Sequence, residues 1–120
     1  MGDYRTLLAY QKAFALAMRI YNISKTFPPE EKFGLIAQIR NSSRSVCTNI
    51  VEAYKRRRYK DYYISKLNDS ETENAETQVW LDFALACNYF NNESYNELKL
   101  ENDEVAKLIF YMINNPEKFL

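Results

Sequence analysis

Two tracts of the sequence hold the side chains best equipped to do chemistry. The first is basic. With Ile39 as the inward direction of a helix, Arg40, Arg44, Lys55 and Arg58 fall on one flank at roughly 100–160°. Arg56, Arg57 and Lys60 crowd the end of that stripe, which is roughly 27 Å long by helical rise. Seven cations so placed neutralise phosphates and give salt-sensitive affinity for RNA or DNA. Tyr54 and Tyr59 lie in the same tract and offer faces on which bases stack. The competing reading is a solvated face that pairs with acidic residues of a neighbour.

The second tract is acidic. Asp69, Glu71, Glu73 and Glu76 have the carboxylate density of a di-iron bundle, but that site takes a Glu-x-x-His from each of two helices and the chain has no His. No metal and no cofactor is expected. The missing His also removes the commonest general base. Ser42, Ser43 and Ser45 have no adjacent group of the kind that activates a hydroxyl. Gly2 and Gly34 are the only glycines, so there is no Gly-rich phosphate loop. These absences predict a protein that binds and does not catalyse. Cys47 and Cys87 form no CxxC pair, and read as two small buried apolar side chains in a reducing cytoplasm, with a disulfide between them open in principle. The N-terminal stretch does not read as a signal peptide, and no apolar run approaches the roughly 18 residues of a membrane span, so no membrane partner is expected.

Charge is divided along the chain. The net charge is zero, yet residues 1–66 hold 13 Lys/Arg against 5 Asp/Glu, and residues 67–120 hold 3 Lys against 11 Asp/Glu. Either the two halves match each other between helices, or the basic half faces a polyanion.

The elements that must position these tracts are helices. Gly and Pro together number 5 of 120 residues, too few for a turn-rich strand fold. Four stretches are predicted, at about 4–26, 29–57, 60–87 and 94–114, making one domain over residues 1–120. Their inward stripes are Leu7, Tyr10, Phe14, Ala17, Met18 and Tyr21; then Leu35, Ile36, Ile39, Ser43, Val46, Ile50, Ala53 and Tyr54; then Tyr63, Leu67, Ser70, Asn74, Gln78, Leu81 and Leu85; and last Leu98, Val105, Leu108, Ile109 and Met112. Pro29 with Glu30 and Glu31 suits a helix start, and Ser94 to Glu97 reads as a capping box. Asn102-Asp103-Glu104 marks a potential kink. The turn between the second and third helices has neither Gly nor Pro and is placed at Arg57 to Lys60 because antiparallel packing requires one. The polar middle of the third stripe is either a wet groove or a hydrogen-bonded core network. Short loops between long helices predict an antiparallel up-down-up-down bundle.

A second apolar face appears on two helices. Ala13, Leu16, Ile20, Ile23 and Phe27 lie away from the stripe centred on Phe14, and Val79, Trp80, Phe83 and Cys87 lie away from Leu81 and Leu85. Large apolar patches rarely stay exposed, so either the bundle core wraps wide around these helices or the chain termini cover them, or, the sharper expectation, these nine residues are the subunit interface of a homo-oligomer.

Residues 27–57 read FPPEEKFGLIAQIRNSSRSVCTNIVEAYKRR. The order of Phe27-Pro28, Phe33-Gly34-Leu35, Gln38-Ile39-Arg40, Thr48-Asn49-Ile50 with Glu52, and Arg56-Arg57 resembles the small four-helix-bundle family encoded in intervening sequences of bacterial 23S rRNA genes. Tyr10-Gln11-Lys12-Ala13, Ile20-Tyr21 and Glu76-Thr77-Gln78 extend the likeness to about residues 7–113. Two departures are Ala53, where the family has Gly, and Arg58, where it has Ser or Thr. The resemblance implies an all-α antiparallel bundle. It also implies a homopentameric ring, since the family is similar to the accessory subunit of diversity-generating retroelements, a basic pentameric barrel that binds nucleic acid and a nucleic-acid-processing protein, a reverse transcriptase.

Overall fold

The computed structural model describes residues 2–120. Four helices follow in order: α1 (Leu8–Ser24), α2 (Leu35–Lys55), α3 (Lys60–Ala86) and α4 (Asn92–Asn114). Single 3-10 turns occupy Tyr4–Thr6, Pro29–Glu31 and Pro116–Phe119, and there is no strand among the described residues. Each of α1 and α3 packs on both α2 and α4, which closes the expected up-down-up-down bundle. The molecule measures 44 × 25 × 20 Å.

The helix ends differ from expectation where local caps win. Asp3 accepts a hydrogen bond from the Arg5 N–H (2.9 Å) and winds Tyr4–Thr6 into a 3-10 turn, so α1 starts later than expected. Pro29 opens another 3-10 turn rather than α2. Glu31 then folds back to cap α2, accepting from the Leu35 N–H at 3.1 Å and from the Tyr89 hydroxyl at 2.7 Å. A Cβ at Gly34 would come within 2.7 Å of that carboxylate, so the glycine leaves room for the cap. At the far end of α3, Asn88 takes φ 60° and the Tyr89 N–H reaches the Ala84 carbonyl (2.9 Å), a left-handed C-cap made by Asn in place of Gly. Asn91 caps α4 by accepting from the Ser94 N–H at 2.8 Å, so the helix begins ahead of the capping box and runs unbroken through Asn102.

The core is built from Ile20, Ile39, Ile50, Tyr63, Leu67, Leu81, Leu98, Val105, Ile109 and Met112, all essentially inaccessible. The polar middle of α3 is a core network. Asn74 and Asn102 exchange hydrogen bonds: Asn74 Nδ2 donates to Asn102 Oδ1 (2.8 Å), and Asn102 Nδ2 to the Asn74 carbonyl (3.1 Å). Thr77 donates to Ser42 Oγ (2.9 Å), and Ser70 to the Val46 carbonyl (2.9 Å). With their partners supplied from across the bundle, these groups are buried without an unmade bond.

The helix rotation of α1 is a correction. Ala13, Leu16 and Ile20, expected on an outer face, are buried with Ala9 and Ala17, and Phe27 is buried against Leu35 and Ala84. Ile23 is half-buried against the same core. Phe14 and Met18, expected inside, are 50% and 44% exposed. Ala9, Ala13 and Ala17 give α1 an inner face of small side chains, the kind that lets helices pack closely. On the second apolar face of α3, Val79 and Phe83 are 46% and 54% exposed, Cys87 is exposed, and Trp80 is half-buried.

Candidate nucleic-acid interface

The α2–α3 turn, residues 56–59, gathers the basic tract at one end of the bundle. The turn forms without glycine because its closing bonds, Arg57 N–H to the Tyr54 carbonyl (3.3 Å) and Tyr59 N–H to the Arg56 carbonyl (2.9 Å), need no positive φ. The Arg57 side chain adds a C-cap, Nη1 donating to the Tyr54 carbonyl at 2.8 Å, with its guanidinium 4.0 Å over the Tyr54 ring. Lys55, Arg56, Arg58 and Lys60 are exposed and form no ion pair among the described residues. Gly2, Lys55, Arg57, Arg58 and Leu120 border an open recess of about 460 Å³. The charged side chains on this recess are all basic, and such a concave surface concentrates the potential that attracts an anion.

The rest of the stripe divides. Arg44 is exposed on the same flank of α2. Arg40 is half-buried and serves the fold: Nε donates to Ser24 Oγ (2.8 Å), and Nη2 to the Tyr21 carbonyl (3.4 Å) at the end of α1. Tyr54 is buried, so it offers no face to a base; Tyr59 is half-exposed. Tyrosines supply something the sequence reading passed over. Tyr21 has Lys25, Arg40 and Arg44 at 4.6, 4.6 and 5.6 Å from its centroid. Tyr62 has Arg56 and Lys66, each at 6.0 Å, and Tyr59 has Arg58 at 5.0 Å. The signal for two of these contacts was the i, i+4 spacing of Tyr21–Lys25 and Tyr62–Lys66, which puts ring and cation on one helix face.

Part of the remaining charge asymmetry is met inside the subunit. Lys12 pairs with Glu104 (3.4 Å), and Arg19 with Glu97 (3.1 Å) and with Glu101, joining basic α1 to acidic α4. Lys66 pairs with Glu52 at 3.2 Å, the acid nearest the turn on α2. On α3, burial pushes the Glu73 carboxyl up, and the neighbouring Glu76 and Asp69 add to the shift. No group of His, Cys, Asp and Glu side chains among the described residues is arranged to hold a metal. Cys47 is buried and Cys87 exposed, both as free thiols, so they are not the pair of buried small residues expected.

Apolar side chains remain at the surface, among them Phe33, Leu100 and Phe110, and two groups of them are contiguous. Between the N-terminal turn, α1 and α2 runs a groove of about 580 Å³, with Tyr10, Phe14, Met18, Cys47 and Val51 among its walls and Arg44 and Glu52 beside it. Val79 and Phe83 project from α3, with Phe83 against Trp80 at 5.9 Å. The Trp80 Nε1–H is buried with no acceptor among the described residues.

Comparisons with known proteins agree on the fold. The family described as 23S rRNA-intervening sequence protein matches residues 5–111. A 1.70 Å crystal structure of a protein with unknown function from the S23 ribosomal protein family of Bacteroides thetaiotaomicron VPI-5482 is similar at 31% identity, with a TM-score of 0.79, covering 89% of this chain and 96% of that one. No curated protein matches. No helix among the described residues is long and apolar enough to cross a membrane.

Proposed function

Because the chain belongs to the family of 23S rRNA-intervening sequence proteins, we propose that it acts by binding, as a homo-oligomer that holds nucleic acid through the α2–α3 turn. The observation that carries this reading is a contrast in pairing. Basic residues of α1 are matched by acids of α4, whereas Lys55, Arg56, Arg58 and Lys60 have no carboxylate partner among the described residues. Concentrated like charge weakens the compact state unless a counter-charge is supplied, and a phosphate backbone supplies it. Contacts of this kind position a polyanion and read no sequence. The ribosomal family name of the Bacteroides structure fits an RNA ligand.

Assembly into a ring, five-membered by the family resemblance, is supported by two outer apolar features on different helices, the α1–α2 groove and the Val79–Phe83 ridge. Patches on different faces make head-to-tail contacts, which form a ring when the rotation between copies closes. A ring that only scaffolds proteins is the other reading, favoured by the same two patches. Salt separates them. Nucleic-acid affinity is expected to fall at least tenfold between about 50 and 200 mM salt, and Arg56→Ala with Arg58→Ala to flatten that slope. A protein that retains neither RNA nor DNA at low salt is the scaffold.

A further inference from the structure

We infer that the basic end binds the backbone of a double helix and gains nothing from unpaired bases. This rests on the nucleic-acid reading above and narrows its ligand. Proteins that hold single strands add affinity by stacking bases on open aromatic faces. Near the turn the rings already meet cations: Tyr62, itself 43% exposed, has two at 6.0 Å, within the distance at which a ring and a cation attract. Farther along α2, Tyr21 is met by three. Tyr54 is buried beneath Arg57, which leaves Tyr59, with Arg58 over it, as the ring with the fewest such contacts. A base seated on these rings must compete with a guanidinium or ammonium group.

The rings hold cations in place, and held cations serve a ligand with closely and regularly spaced phosphates. A duplex presents one charge per roughly 1.7 Å of axis, against roughly 3.4 Å along one strand. Arg44 and Lys55 are three turns apart on α2, so the cations extend over a length that several consecutive phosphates span. Either an RNA or a DNA double helix has this chemistry.

The test compares a blunt duplex with its separated strands, at equal phosphate concentration and low salt, by fluorescence anisotropy, once with RNA and once with DNA. Duplex binding about tenfold tighter than the single strands is the expected result in at least one of the two, with a steeper salt dependence. Tyr62→Leu, which removes the ring, is expected to weaken both affinities by the same factor of about two to three. Single strands that bind as tightly as the duplex, or a Tyr62→Leu protein that loses single strands selectively, overturn the inference and leave the binding function standing. Failure of every nucleic acid to bind overturns the inference and the function together.

Discussion

Arg40 shows how one side chain can be placed correctly on a helix and still be given the wrong work. Its rotation about α2 puts it on the flank shared with Arg44, but a rotation says nothing about what another helix brings alongside. Here α1 ends opposite it. The Ser24 hydroxyl, fully buried, and the Tyr21 carbonyl take two of its donors. Arg40→Ala is therefore expected to lower stability by about 1–2 kcal/mol in urea unfolding and to leave nucleic-acid affinity within about twofold. Arg58→Ala should do the reverse. The two cysteines divide in the same way. Burial raises the Cys47 thiol from 9.0 to about 11, so a thiol reagent near pH 8 should modify Cys87 quickly and Cys47 only on unfolding. The unfolded chain loses the Cys47 proton first, so between about pH 9 and 11 it binds fewer protons than the folded chain. Stability should fall as pH rises through that window, and Cys47→Ala should reduce the fall. Neither assignment was legible in the sequence, because burial of a lone Cys or Arg is decided by contacts between distant segments.

At the scale of helices, the sequence carried most of the fold. Apolar spacing located all four helices, and the steric demand for antiparallel packing located a turn that no Gly or Pro marks. Boundaries were less legible where one polar side chain outcompetes a motif, as Asn91 does ahead of the Ser94 box. The polar stripe of α3 left two possibilities that hydrophobicity could not separate, since a polar residue at an inward position reads the same whether water or another side chain satisfies it. The structure supplies Asn102 to Asn74 and Ser42 to Thr77. Asn74→Leu leaves the buried Asn102 Oδ1 without its donor and should cost about 2 kcal/mol, while Asn74→Leu with Asn102→Leu should recover much of that loss. Urea unfolding of both singles and the double gives the coupling directly, and additive losses would mean that the two amides do not act as a pair.

For the whole molecule, the question is what covers the outer apolar surface. The sequence indicated too much grease on the first and third helices for a polar exterior, and that excess is real, but it was assigned to the wrong flank of α1. Three alanines determine the outcome. They turn Leu16 and Ile20 inward and leave Phe14 and Met18 along the groove with α2. An amphipathic count treats alanine as merely apolar, whereas packing treats it as the residue that lets two backbones approach, and this is why the face was missed. The exposed ring at Phe14 now makes a clean probe of assembly. It is half outside the subunit, so Phe14→Asp should leave helix content and unfolding free energy within about 1 kcal/mol of the parent protein. In the proposed ring the same substitution places a charge in a contact between copies, and sedimentation should show the assembly giving way to single subunits. Phe83→Asp on α3 probes the other patch in the same way, and a head-to-tail contact that joins the two patches requires both variants to dissociate. If the parent protein sediments as one subunit at micromolar concentration, the groove is not a contact between copies. The charged turn, which lies at one end of the bundle apart from the α3 patch, can still be titrated with duplex on its own.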